Sequence, residues 1–366
     1  MKTEFDVLFA RNELKAEGFL EELRGKKPLF ICTIATTETA KIQGISAAGK
    51  YPEFTDYTPP ADAELLLLGK CKCINGVPVT PEGIPTPALI TMSALRLADV
   101  PVLVASGGLK VKPQIPFLEF GGNPGRDIRS GTAVDHVAEV IERAVIAGAQ
   151  LAKTADYLVI GESIPGGTTT ALGVLSAMGF DAEGKVSSSM PENPHGLKCD
   201  AVKAGLAAAG ESFGSLAGNP VRAVGCVGDP MMPAFAGLVI GAAAEVPVLM
   251  AGGTQMTAVL AVVKALNEDV LCNVAVGTTR WVVNDVSSDI RGIVDQIADV
   301  PVLAADLDFG GSRFEGLRAY EKGIVKEGVG AGGAAIAAMV ATEGAVTKEM
   351  LLGEIERNYA LLLGVK

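Results

Sequence analysis

ADVPVLVASGG at residues 98–108, AEVPVLMAGG at 244–253 and ADVPVLAADLDFGG at 298–311 are three versions of one phrase. Each is a short apolar run, entered through a proline and left through a glycine-containing loop. A continuous apolar run of this length is the pattern of a parallel strand buried on both faces. Proline is tolerated at the first strand position, where its missing N–H need not join the ladder. An amphipathic or Ala-rich stretch of helical character precedes each copy, at 88–98, 233–244 and 285–298.

Working outward, further strands are expected at 28–35 (PLFICTIA), 156–160, 222–227 (RAVGCV) and 270–276. Helices are expected at 132–154, 168–179, 198–209, 254–267 and 330–342, the first opened by a capping-box variant of Thr132 with Asp135. Alternating helix and strand predicts an α/β fold. Irregular spacing favours an open, mostly parallel, Rossmann-like sheet flanked by helices over a closed barrel. Residues 28–342 form the large α/β domain in this reading. The charged ends, 1–27 and 343–366, show no strand signal and form a small helical domain. The Pro- and Thr-rich stretch 50–88 reads as long ordered loop.

Composition narrows the function. The chain of 366 residues carries 31 Lys+Arg against 42 Asp+Glu, a formal charge of −11. That balance argues against nucleic acid as a partner. A length of 366 residues buries enough surface to fold without disulfide or metal. Cys32, Cys199, Cys226 and Cys272 read as buried thiols, and Cys71 and Cys73 form a lone C-x-C with no second cysteine pair or nearby histidine. With two histidines in all, neither a metal centre nor a histidine triad is expected. The N-terminus lacks a signal-peptide core, and the long uncharged runs at 230–263 are broken by Glu245, Pro233, Pro247, Gly252 and Gly253. The expectation is a cytoplasmic protein with no membrane association.

Ligands of open α/β sheets bind beyond the carboxyl ends of the strands, so the residues after each strand matter most. After 156–160 comes GESIPGGTTTALGVL, 161–175. Gly166, Gly167, Thr168 and Thr169 open a helix, whose free N–H groups and partial positive charge suit an anion. The run lacks the spacing of a Walker loop and of G-x-G-x-x-G. The plainer alternative is a glycine turn with a threonine cap. Lys198 sits at the next helix start, where it opposes the macrodipole unless an anion is present; a solvated surface lysine is the alternative. His195, just before it, reads as a loop imidazole. In YEKGIVKEGVGAGGAAIAAMV, 320–340, Glu327 stands at the mouth of a glycine loop beginning at Gly328 and beside apolar surroundings. Such a carboxylate can have a raised pKa and act as a general base, or it can simply favour a helix dipole. Glu162 is a second carboxylate beside the anion cradle, able to fix a ligand hydroxyl, position Glu327 or cap a loop.

At these residues the chain resembles the nicotinate-nucleotide–dimethylbenzimidazole phosphoribosyltransferase family of cobalamin nucleotide-loop assembly. GESIPGGTT at 161–169 is similar to the family's G-E-M-G-I-G-N-T-[ST]. Lys326-Glu327-Gly328-Val329-Gly330 is similar to its G-E-G-T-G, which carries the catalytic glutamate. Lys198 matches its helix-start lysine. GDPMMPAFAGLVIGAAAEVPVLMAGG at 228–253 and Gly44-Ile45-Ser46-Ala47 follow two further motifs in the same order. Segments 44–64 and 77–91 resemble the divergent archaeal and cyanobacterial-type branch. The chain departs from the family where Gly167 replaces an Asn and Ala251 an Asp. Asp-His-Gly before G-V-S-A and a His-Arg-Ser-Ala-Glu segment are missing, DLDFGGS at 306–312 standing in the latter's place.

The resemblance implies a pentosyltransferase without cofactor. Its substrates would be nicotinate mononucleotide and an aromatic base such as 5,6-dimethylbenzimidazole. Glu327 would be the base, and Glu162, Gly166, Gly167, Thr168, Thr169, Lys198 and Gly328 would hold the nucleotide. Ser46 and Thr86 lie on loops within reach of the acceptor. The resemblance also implies a homodimer. Two other readings stay open: a non-catalytic nucleotide sensor or partner subunit that kept the phosphate cradle, and another α/β enzyme such as a dehydrogenase, against which the missing G-x-G-x-x-G counts.

Overall fold

The computed structural model, which describes residues 5–46, 48, 51–80, 82–188, 190 and 192–364, places all three copies of the repeated phrase in one sheet. The strands are β1 (Val7–Arg11), β2 (Pro28–Ala35), β3 (Val102–Gly108), β4 (Leu118–Glu119), β5 (Tyr157–Ser163), β6 (Val248–Ala251), β7 (Val274–Thr279) and β8 (Val302–Ala305). Their spatial order is β1-β8-β7-β6-β5-β2-β3-β4, open at both ends. Each neighbouring pair is parallel except β1 with β8.

Every residue of β2, β5, β6, β7 and β8 is buried. Alternation explains why both faces are apolar. Ile31, Leu158, Ile160, Val248 and Met250 face one core. That core is covered by helices that include Val137–Leu151, Gly167–Ala177, Met231–Ala243 and Gln255–Leu266. Phe30, Cys32, Val159, Leu249 and Ala251 face the other, under Glu13–Leu23, Thr58–Leu68, Ala88–Leu97, Ala331–Ala341 and Lys348–Leu363. Helix Ala331–Ala341 lies directly on the strands because its glycines permit it. A Cβ at Gly332 would stand 2.0 Å from the Thr278 carbonyl, and one at Gly333 2.3 Å from the Ala251 Cβ.

The order of the sheet sets the position of the site. From β2 the chain moves to β3 and β4, returns to β5 on the other side of β2, and continues outward through β6, β7 and β8. The connections therefore diverge between β2 and β5, which is where a crevice opens in such sheets.

Several expectations are corrected. Residues 222–227 are not a strand but belong to helix Pro220–Val227: the Asn219 side chain accepts from Arg222 N, Pro220 fills the first turn, and Pro220, Ala223, Val224 and Val227 are buried at helical spacing. The segment 1–27 is not wholly helical, since β1 adds an antiparallel edge to β8. Residues 50–88 are more than loop. Helix Thr58–Leu68 begins on Pro59 and Pro60, whose missing N–H groups cost nothing in a first turn, and it is buried from Pro59 to Leu66. No capping box opens helix Val137–Leu151, because Asp135 pairs with Arg126 and the cap is His136 in a left-handed conformation. The helix expected at 285–298 is shorter, Ile290–Ile297, capped by the Asp289 side chain. Cys272 is exposed rather than buried. No helix among the described residues is long and apolar enough to cross a membrane.

Candidate active site

A cleft opens beyond the carboxyl ends of β2 and β5, with about 960 Å³ of space, its open mouth included. Glu327 stands on one wall. The loop that carries it is held in conformations unusual for its residues: Gly328 has φ +152°, Val329 +56° and Gly330 +67°. A left-handed β-branched residue is strained. Val329 is held there by burial and by the Thr91 hydroxyl, which donates to its carbonyl at 2.9 Å. Glu327 is 8% exposed. Its carboxylate accepts from Gly328 N at 3.1 Å and from Gly332 N at 3.2 and 3.3 Å. Burial pushes its pKa from 4.5 to about 8, against the pull of those amides.

Two more carboxyls line the same cleft. Glu162, at the end of β5, is buried and accepts from Gln255 Nε2 at 2.5 Å. Burial raises its pKa well above the usual range, and the charges of Glu327, Asp229 and Asp62 add to the rise. Asp62, on helix Thr58–Leu68, accepts from the hydroxyls of Thr86 and Ser163, each at 2.8 Å. Burial raises it to about 7 despite those donors. The cleft therefore carries far less negative charge at neutral pH than three carboxyls suggest, and its protons are shared among coupled groups.

At the opposite end a helix N-terminus meets a buried lysine. Gly166 caps helix Gly167–Ala177 in a left-handed conformation, φ +81°. A Cβ there would approach Ala40 N to 3.0 Å, so only glycine lets the turn pack against residues 38–41. The Thr170 hydroxyl is bonded to buried Asp229, which in turn accepts from Met231 N and Met232 N and fixes the first helical turn against a second helix. Lys198 lies in the first turn of helix His195–Ala208, completely buried, and donates from Nζ to the Thr168 hydroxyl at 2.9 Å. Burial lowers its pKa to about 7, and the ammonium of Lys326 pushes the same way.

The structure brings Glu327, Gly328, Glu162, Gly166, Gly167, Thr168, Ser46 and Thr86 to one cleft. Lys198 reaches its edge through Thr168. Thr169 does not line it; its hydroxyl is buried in the interior without a partner. His195 holds the Ser287 carbonyl at 2.8 Å from Nε2. Asp62, Ser163, Gln255, Asp229 and the Lys326–Asp285 pair were missed in the sequence. Asp62 and Asp285 lie in segments with no repeat or glycine motif to mark them, and their roles depend on partners about a hundred residues away or on other loops. Among the described residues no three His, Cys, Asp or Glu are grouped so as to hold a metal ion.

The fold has known counterparts. The crystal structure of nicotinate-nucleotide-dimethylbenzimidazole phosphoribosyltransferase from Thermus thermophilus superposes with a TM-score of 0.57, at 17% identity over 99% of this chain and 96% of that one. A structure of CobT from the same organism gives 0.58, at 19% identity over 99% and 97%. The eight-stranded α/β fold is thus that of these transferases. No family model matches the chain. Among curated sequences, a UPF0284 protein of Methanothermobacter thermautotrophicus is 48% identical over 88% of this chain and 90% of its own length. UPF0284 proteins of Sulfurisphaera tokodaii and Sulfolobus acidocaldarius are 47% and 46% identical, over 91% and 94% of this chain and 93% and 100% of theirs. These sources are archaeal, as the resemblance to a divergent branch anticipates. The chain belongs to the UPF0284 protein family.

Proposed function

We propose that this chain transfers the phosphoribosyl group of nicotinate mononucleotide to an aromatic base, giving nicotinate and an α-ribazole phosphate for cobamide nucleotide-loop assembly. The observation that carries the reading is the pairing, across one cleft, of a buried carboxylate on a rigid glycine loop with a helix-terminal anion seat and a buried lysine. The fold shared with the Thermus thermophilus transferases supports it.

The phosphate would rest on the amides at 166–168 and near Lys198. C1′ then faces the carboxyl-lined part of the cleft. The leaving group is a cationic pyridinium, so the C1′–N bond breaks with its electron pair returning to a neutral pyridine nitrogen, and no acid is needed on that side. A ring nitrogen of the acceptor forms the new C1′–N bond with its lone pair. The acceptor's other N–H gives its proton to Glu327, which must be ionised to take it. The positive charge of the bound pyridinium lowers the Glu327 pKa from its value in the empty cleft. Placed proton transfer contributes about 10²–10⁴-fold, and juxtaposition of the two substrates several kcal/mol more. The apolar wall made by Pro78, Ile84, Pro85, Pro87 and Val329 suits a flat ring, with Ser46 and Thr86 at its edge. A homodimer accompanies the reading.

The test is nicotinate release, followed by chromatography, from purified protein with nicotinate mononucleotide and a panel of aromatic bases. Release that depends on one base supports transfer and names the acceptor. Tight binding of the mononucleotide without release for any base favours a nucleotide sensor, the reading to which Ala251 in place of an Asp points.

A further inference from the structure

The anion end of the cleft holds a second cation. The Lys326 ammonium donates to Asp285 Oδ2 at 2.7 Å, and the two side chains are only 5% and 6% exposed. Asp285 takes more donors than one ion pair needs. Ser187 Oγ and Asn193 Nδ2 reach the same oxygen at 2.8 and 3.2 Å, and Ser287 N and Oγ reach the other at 3.0 and 2.7 Å. Burial would raise this carboxyl, yet Lys326 and the serine donors hold it well below the usual range. Asp285 therefore ties two loops around Lys326 and keeps that lysine in place.

The charge around this cluster does not balance. Lys198 and Lys326 lie close enough to repel, and Asp285 is the carboxylate shared between them. Among the described residues one carboxylate stands between the two lysines, and without an anion their repulsion lowers Lys198, so that keeping both lysines charged calls for a bound anion. Ser188 adds an independent sign. It is 5% exposed, its backbone N is fixed by Asn193 at 2.5 Å, and it lines the cleft beside Gly166, Thr168 and Lys326. Its hydroxyl is buried with no partner among the described residues. A buried hydroxyl left unsatisfied in the cleft that Lys326 also lines marks the place of an anion oxygen.

We propose that Lys326 and Ser188 form the second half of the anion subsite, so that a phosphate monoester is gripped between Thr168–Lys198 and Lys326–Ser188, with Asp285 as the positioning residue for Lys326. This rests on reading the 166–168 turn as the phosphate seat. Two cations and a converging hydroxyl select a dianionic phosphoryl group over a nucleoside that lacks it.

The experiment is calorimetric titration of the full chain with inorganic phosphate, nicotinate mononucleotide and the corresponding nucleoside. K326Q is expected to weaken phosphate and mononucleotide by about 10-fold or more while leaving the nucleoside unchanged. K326R, which keeps the ion pair, is expected to restore part of the loss. S188A removes one hydroxyl without disturbing a charge and is expected to weaken the same two ligands by a few fold. Circular dichroism checks that each variant is folded. Phosphate binding unchanged in K326R, K326Q and S188A, or a loss in K326Q shared equally by the nucleoside, overturns the assignment. Wild-type protein that binds the nucleoside but neither phosphate nor mononucleotide would instead remove the phosphate seat itself.

Discussion

Replacing Glu327 by Gln should slow the proposed transfer and stabilise the protein, and the two effects have separate origins. The carboxyl keeps its shape in the substitution but loses the ability to accept a proton. Loss of a placed general base costs about 10²–10⁴-fold in kcat. Stability moves the other way. The Glu327 pKa rises from an ordinary 4.5 to about 8 in the folded chain. The folded state thus binds the proton more tightly than the unfolded state does. Below pH 4.5 both states are protonated and the group contributes nothing. As pH rises toward 8 the unfolded chain ionises first and stability falls; above 8 the penalty is complete. That interval corresponds to roughly 5 kcal/mol. A glutamine loses part of the acceptance from Gly328 N and Gly332 N, a cost of about 1–2 kcal/mol. The expected outcome is therefore a gain of about 3–4 kcal/mol at pH 9 that turns into a loss of about 1–2 kcal/mol at pH 4. Denaturant unfolding at the two pH values, beside steady-state nicotinate release, reads both effects. Wild-type turnover in E327Q, or a stability difference that does not grow with pH, would refute the reasoning.

Three other outcomes follow from the same geometry. Gly332→Ala places a Cβ 2.0 Å from the Thr278 carbonyl, so helix Ala331–Ala341 must lift off the strands, and destabilisation of about 3 kcal/mol or more is expected in denaturant melts. Gly166→Ala forces a side chain into φ +81° and within 3.0 Å of Ala40 N; it should cost about 1–2 kcal/mol of stability and weaken mononucleotide binding by about 10-fold in calorimetry. In the empty cleft Lys198, faced by Lys326, Cys199 and Asp285, has its pKa lowered to about 7, so it is mostly neutral at pH 8. A bound dianion raises that pKa, and binding should take up a proton at pH 8. Titrations in buffers of different ionisation heat detect it, and Lys198→Met should abolish it.

How far the sequence carried this account depended on the kind of signal. The repeated VPVL runs were visible by their apolar continuity without any partner; those of β6 and β8 are buried on both faces, while Leu103 of the first copy is exposed. RAVGCV misled because the same residues satisfy a helical spacing, and the deciding feature was Asn219, an N-cap just outside the run. β1 escaped notice because its apolar run VLFA is short and lies between Asp6 and Arg11 in a charged segment read as helical. Helix Thr58–Leu68 was hidden by its two prolines, which mark a first turn as well as a loop. In the site, glycine-marked residues were legible: Gly166, Gly167, Glu327 and Gly328 stand where backbone geometry leaves a trace in the sequence. Asp62, Ser163 and Asp285 were not, because each gains its role from a hydrogen bond that only the folded chain supplies. Lys326 was in plain view beside Glu327, but its ion pair with residue 285 has no local signature.

The most direct test is a crystal structure with nicotinate mononucleotide and an acceptor base bound. The account predicts the phosphate on the 166–168 amides near Lys198, with an acceptor ring N–H about 2.6–3.2 Å from a Glu327 carboxylate oxygen. A mononucleotide seated with its phosphate elsewhere, or an acceptor whose ring nitrogens lie beyond hydrogen-bond reach of Glu327, would contradict it.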